Sequence, residues 1–274
     1  MRLGLGTMRY CGAGAWGEPP DPQAVQNTIQ AAYAQGVRLF DSAGFYGPDI
    51  ALRLLRSNLP QDHDAVISTK VGLRRYDRRD WVVDASPHSI QLQVEADLRT
   101  LSVDCLDLVF LRLGDGKSLR RDPVPLEVSM SALLTLQQAG KIREVGLSQC
   151  TLSDVQVAQA VMPIQVVQNQ YSLNNQSDID VLAFCESTKI DYWAYAPFGM
   201  GRGLMSPRAT LSTLAMQYQC SVAQLCLAWL LAKSPVLYPI FGTTNPQHLQ
   251  DNVHSISVQL SAVDRAYLSQ FWDV

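Results

Sequence analysis

Leu106-Asp107-Leu108-Val109-Phe110-Leu111-Arg112-Leu113 is a short run, apolar on both faces. That is the pattern of a strand buried on both sides, as parallel strands are. On either side of it the period changes. Upstream, Ser86-Pro87 is an N-cap followed by proline, and Ile90, Val94, Leu98 and Leu101 follow at helical spacing. Downstream, a helical pattern runs from about Pro125 to Gly140. The same alternation fills the chain. Further strand candidates are Arg2–Gly6, Val37–Ser42, Ala65–Val71, Glu144–Ser148, Gln165–Tyr171, Tyr192–Ala196 and Val236–Phe241. Helix starts are predicted at Asp21-Pro22 (closing at Gly36), Ser153, Ser221, Pro246 and Ser261. Eight βα units in 274 residues predict an α/β fold of parallel strands with right-handed crossovers. At this length they favour a closed (β/α)8 TIM barrel over an open doubly wound sheet, with residues 1–274 as a single domain.

Composition narrows the function. Hydrophobic residues are 47% and charged residues 17%, so the chain can bury a large core. With Lys+Arg 22 against Asp+Glu 25 there is no cationic excess for phosphate backbones, and no nucleic-acid partner is expected. Cys11, Cys105, Cys150, Cys185, Cys220 and Cys226 form no C-x-x-C pair and read as reduced thiols. No secretory h-region follows Met1, and the Val222–Ala232 run is too short to span a bilayer. A cytoplasmic location without membrane association is expected. His63, His88, His248 and His254 are scattered, so no metal is expected, and Ser148 lacks the G-x-S-x-G setting of a serine hydrolase.

A barrel carries its chemistry at the C-terminal ends of its strands. There this chain places Asp41-Ser42 and then Tyr46-Gly47, Ser68-Thr69-Lys70, Arg112, Ser148-Gln149, Gln168, and Tyr195-Ala196-Pro197. Asp41 and Lys70, on neighbouring strands, can pair in a low-dielectric site. A phenol beside them can donate a proton to a carbonyl oxygen while cationic donors steady the oxyanion.

Several stretches together resemble the aldo-keto reductases. They are Gly36-Val37-Arg38-Leu39-Phe40-Asp41-Ser42-Ala43 with Tyr46-Gly47, Ser68-Thr69-Lys70-Val71-Gly72, Lys141-Ile142-Arg143-Glu144-Val145-Gly146-Leu147-Ser148, Val167-Gln168-Asn169-Gln170-Tyr171 and Pro239-Ile240-Phe241-Gly242-Thr243-Thr244-Asn245. The matches run in order over nearly the whole chain. The resemblance implies a TIM barrel that moves a hydride between NADPH/NADP+ and a small-molecule carbonyl or alcohol, with NADH as the alternative cofactor. It implies Tyr46 as general acid tuned by Asp41 and Lys70, Ser148 and Gln168 on the nicotinamide carboxamide, and Tyr195 under the ring. Ala196, Phe198, Gly199, Gly201 and Arg202 after strand seven, and Gly242, Thr243, Thr244, Asn245, His248 and Asn252 after strand eight, fall where the family holds the remainder of the dinucleotide. Met8, Tyr10, Trp16, Phe45 and Leu113 are candidate substrate walls, and Arg74–Trp81, with four arginines, reads as a solvated loop or an anion-attracting lid.

The chain also departs from the family. Arg112 stands where a histidine is usual; it stays protonated, so it can donate and stabilise charge but cannot shuttle protons. It is expected to polarise the carbonyl or grip a substrate anion by a two-pronged contact. Gln149 replaces an asparagine. Gly242 and His248 replace cations, which weakens selection of the 2′-phosphate. No hairpin precedes strand one, so the barrel is expected without an N-terminal β-hairpin plug. Two other functions remain open: a catalytically impaired NADP(H)-binding or sensing barrel, and a biosynthetic enzyme of altered chemistry such as imine reduction, elimination or isomerisation.

Overall fold

The computed structural model describes residues 1–77, 80–114, 123–199 and 208–270. Eight strands close into a parallel barrel: β1 (Gly4–Gly6), β2 (Leu39–Asp41), β3 (Val66–Val71), β4 (Leu106–Arg112), β5 (Ile142–Ser148), β6 (Val166–Gln170), β7 (Asp191–Tyr195) and β8 (Leu237–Phe241). Each pairs with its sequence neighbours, and β8 pairs with β1 to complete the ring. All eight strand candidates form, as expected.

Helices α1 (Pro22–Ala34), α2 (Ile50–Asn58), α3 (Pro87–Leu101), α4 (Leu126–Gln138), α5 (Leu152–Val161) and α6 (Ile179–Thr188) alternate with the strands. After β7 come α7 (Arg208–Gln217) and α8 (Val222–Lys233), and after β8 α9 (Pro246–His254) and α10 (Ala262–Ser269). The helix starts follow local chemistry. Asp21 and Ser86 accept hydrogen bonds from the amides of Ala24 and Ser89, each with proline at the first turn. Reciprocal capping boxes join Thr151 to Asp154 and Ser221 to Gln224. The Thr151 box corrects the expected start at Ser153, because Asp154 returns a bond to the Thr151 amide and pulls the boundary back.

Two further differences matter for the barrel's ends. Arg2 does not extend β1; its guanidinium instead donates to the carbonyls of Leu231, Ser234, Pro235 and Leu237, covering the C-terminal end of α8. The arginine-rich stretch after β3 contains an antiparallel hairpin, Leu73–Arg74 against Val82–Val83. Between sheet and helices lies the main apolar core, including Leu3, Leu5, Ile29, Leu52, Val109 and Leu147. Inside the barrel, Leu108, Phe110, Val166, Trp193 and Ile240 form a separate layer. Among the described residues no single helix is long and apolar enough to cross a membrane.

Candidate active site

Strand periodicity carries the chain from that apolar layer to a polar one. Two residues beyond Phe110 on β4 comes Arg112, two beyond Val166 on β6 comes Gln168, and two beyond Trp193 on β7 comes Tyr195. The register sets Asp41 beside Ser68, Arg112 beside Ser148, and Ser148 beside Gln168. The polar groups thus share one mouth, formed by the C-terminal ends of β2 to β7.

They are joined by a continuous hydrogen-bonded chain. Asp41 Oδ1 accepts from Lys70 Nζ at 2.7 Å, Gln168 Nε2 at 2.6 Å and Ser68 Oγ at 3.0 Å. Lys70 also donates to the Ser42 carbonyl at 2.7 Å. Gln168 Oε1 accepts from Ser148 Oγ at 3.3 Å, and Ser148 Oγ accepts from Arg112 at 3.2 Å. The Asp41 and Lys70 side chains are 8% and 1% exposed, so this is a buried ion pair whose extra donors offset its desolvation. Ser68 is a partner that sequence reading left without a role; the Asp41–Ser68 register, two residues before Lys70, is the signal for it.

Tyr46 is brought to this pair by a tight turn after β2. Its amide donates to the Ala43 carbonyl, and Gly47 beside it adopts φ +113°. A side chain at Gly47 would place its Cβ 2.4 Å from Ile50, so only glycine fits. Gly47 also bonds to Ala15 and Gly17, stitching the turn to the loop after β1. The Tyr46 ring is buried, 5.0 Å from Lys70 Nζ at its centroid and edge-on to Phe45. Tyr195 lies within electrostatic reach of both Tyr46 and Arg112. Burial raises its phenol, the Arg112 guanidinium opposes that, and the Tyr46 oxygen adds to the rise.

Arg112 is placed at the mouth, where its donors meet protein groups. Nε donates to the Gly114 carbonyl at 3.0 Å, one terminal nitrogen to Ser148 Oγ, and the other to Gln149 Oε1 at 2.9 Å. Its Cζ lies 5.8 Å from the Tyr195 ring centroid. Arg112 therefore joins the residues singled out for the nicotinamide. Gln149 and Ala196, both at strand ends, take positive φ values of 58° and 51°. Such backbone is uncommon without glycine and clusters at functional sites.

The candidate walls divide. Met8 is exposed and lines a cavity of about 610 Å³ with Cys11, Trp81 and Thr244. Phe45 packs edge-on against Trp81. Leu113 lines a separate cavity with Arg112, Val83 and Ala85. Tyr10 is corrected: it is fully buried in the main core, away from any opening. Trp16 stacks on Arg75, which sequence reading placed in a solvated loop or lid. Arg75 is instead 7% exposed, lies 4.3 Å from the Trp81 ring and 5.1 Å from the Trp16 ring, and donates to the Gly14 and Ala15 carbonyls. Arg78 and Arg79 lie outside the described residues.

At the far side of the mouth, Asn245 caps α9 by accepting from the amides of Gln247 and His248. Thr243 is bonded to Asn245, Thr244 is half-buried, Asn252 is buried on α9, and His248 and Gly242 are exposed. Phe198 and Gly199 follow β7; Gly201 and Arg202 lie outside the described residues. Ser172 Oγ, buried beside Gly199, has no hydrogen-bond partner among the described residues. An exposable aromatic face, a hydroxyl and two carboxamides, an unsatisfied hydroxyl and a capped helix N-terminus suit a planar amide-bearing ring with an anionic tail. Among the described residues no cluster of three or more His, Cys, Asp or Glu is placed to hold a metal.

Comparison with known proteins agrees with this geometry. The solved structures it resembles include a glycerol dehydrogenase from Gluconobacter oxydans (TM-score 0.86, 22% identity, 98% of this chain and 90% of that one). An aldo-keto reductase from Klebsiella pneumoniae in complex with NADPH superimposes with TM-score 0.81, at 24% identity over 99% and 90% of the two chains. In sequence, the chain is 34% identical to pyridoxine 4-dehydrogenase of Escherichia coli over 95% of its length and 91% of that protein. It is 33% identical to an uncharacterized oxidoreductase of Schizosaccharomyces pombe over 95% and 83%. Residues 2–273 match the Aldo/keto reductase family as a whole. The barrel, the ordered strand-end residues and this near-complete match lead to one assignment: the chain belongs to the aldo/keto reductase family.

Proposed function

We propose that the chain reduces an aldehyde or ketone to an alcohol with NADPH as hydride donor, and that Tyr46 is the general acid. One observation carries this reading: a buried phenol sits over a buried Lys70–Asp41 pair at the same barrel mouth as Tyr195. When bound, the reduced nicotinamide supplies the hydride. Ser148 and Gln168 hold its carboxamide, Tyr195 supports the ring, and Ser172 and the N-terminus of α9 meet the phosphates. Tyr46 Oη gives its proton to the carbonyl oxygen as charge develops there. The Lys70 ammonium, paired with Asp41, stabilises the phenolate left behind. The wall of Phe45, Trp81 and Met8 excludes water from the reacting carbonyl.

Tyr46→Phe tests the assignment. NADPH consumption with a panel of aldehydes and ketones should fall about 10²–10⁴-fold, while the Kd for NADPH by calorimetry stays within about twofold. The panel includes pyridoxine and its 4-aldehyde, on the strength of the relative in Escherichia coli. Undiminished turnover in this variant would remove Tyr46 from the mechanism.

A further inference from the structure

At the end of β4 a permanent cation is fixed in place. The Arg112 guanidinium is half-buried and held on three sides by the Gly114 carbonyl, the Ser148 hydroxyl and the Gln149 amide. All three partners are neutral, and among the described residues no carboxylate pairs with Arg112. Among those residues nothing neutralises its charge, and it stands 5.8 Å from the centre of the Tyr195 ring.

We infer that Arg112 is the residue by which this chain distinguishes the two oxidation states of its cofactor, binding NADPH more tightly than NADP+. The inference rests on the carbonyl-reductase reading above, which puts the nicotinamide on Tyr195 and its carboxamide on Ser148. The two cofactor forms share adenine, riboses and phosphates, so contacts to those parts cancel in the ratio of their affinities. They differ at the nicotinamide, which is a cation when oxidised and neutral when reduced. A fixed cation beside that ring repels only the oxidised form. For a cation beside the ring at an effective dielectric of ~20, discounted for partial exposure, the repulsion amounts to about tenfold in Kd. Three hydrogen bonds prevent the guanidinium from swinging away to relieve it. Tenfold tighter binding of the reduced form raises the potential of the bound couple by about 30 mV. The bound ring becomes a slightly weaker hydride donor, and in return NADP+ leaves readily and inhibits weakly as a product. Because a guanidinium does not titrate near neutrality, the discrimination is independent of pH.

The test is calorimetric titration of the full chain with NADPH and with NADP+ at fixed salt, for the wild type, Arg112→Gln, Arg112→Met and Arg112→Lys. The wild type should favour NADPH about tenfold, with the same ratio from about pH 6 to pH 8. Both neutral variants should tighten NADP+ and bring the ratio close to unity, and Arg112→Lys should keep it. Equal affinities in the wild type overturn the inference without any variant. A ratio unmoved in a folded neutral variant, or an equal weakening of both forms, also overturns it, since a merely structural arginine would do that. No saturable binding of either form by the wild type would overturn the carbonyl-reductase reading itself.

Discussion

The interior of the barrel has two layers built from the same strands, and they obey opposite rules. In the lower one Phe110 meets Trp193 edge-on at 5.4 Å among Leu108, Val166 and Ile240. Among the described residues nothing offers the Trp193 indole N–H a partner. In the upper one Asp41, Ser68, Lys70, Arg112, Ser148 and Gln168 are joined into one hydrogen-bonded chain. On β4 and β6 the step between layers is two residues. Burial alone therefore does not decide polarity in this barrel. The lower layer gains from excluding water, whereas the upper holds charge in a low dielectric where it can act on a reacting carbonyl.

The contrast can be broken experimentally. Lys70→Met should have the largest effect, because Asp41 would remain as a buried carboxylate without its cation. A loss of about 3–5 kcal/mol in denaturant unfolding is expected, together with a fall in kcat of at least ~10²-fold. A loss below about 1 kcal/mol would mean that the upper layer is hydrated like a surface.

Asp97, on α3 just outside the strands, comes next. Burial pushes its carboxyl up to about 8, the hydrogen bond that Thr69 donates to it opposes the rise, and the Asp49 charge adds to it. At Gly44 a Cβ would lie 2.2 Å from its Oδ1, so it touches the turn that carries Tyr46. The folded form binds the proton more tightly than the unfolded chain, so the cost grows as pH rises from about 4 to about 8 and is constant above that. Asparagine imitates the protonated acid. Asp97→Asn should thus gain on the wild type by about 2–3 kcal/mol between pH 5 and pH 7; a pH-independent difference would place the Asp97 ionisation outside that range. The smallest effect should come from the lower layer. Phe110→Leu should cost about 1 kcal/mol of stability, with kcat and the Kd for NADPH unchanged. A kinetic defect there would show that the layers are coupled.

Much of this was legible in the sequence. The strands announce themselves because each is a short apolar run between helix caps. The positions of Asp41, Tyr46, Lys70, Ser148 and Gln168 follow from the sequence because they fall at strand ends or in the turn that follows. What stayed hidden depends on which way a side chain turns. Arg112 was placed correctly, yet its partners Gln149 and Gly114 follow from backbone turns that spacing does not reveal. Tyr10 looked like a wall because it follows β1, but a short 3-10 turn at Met8–Tyr10 rotates it into the core. Asp97 sits at the helical spacing of Ile90, Val94 and Leu101 and is buried with them, whereas Leu98, the apolar choice for that face, is only partly covered.

The Arg75 sandwich has a consequence for how such a mouth can be altered. One cation, clasped between Trp16 and Trp81 and bonded to the carbonyls of Gly14, Ala15 and Asp80, fastens the first loop of the barrel to the third. Those two segments are some sixty residues apart in the chain but make a single mechanical piece of the rim. Anyone grafting a new specificity here must transplant both as one cassette, since either segment moved alone would arrive without its other half.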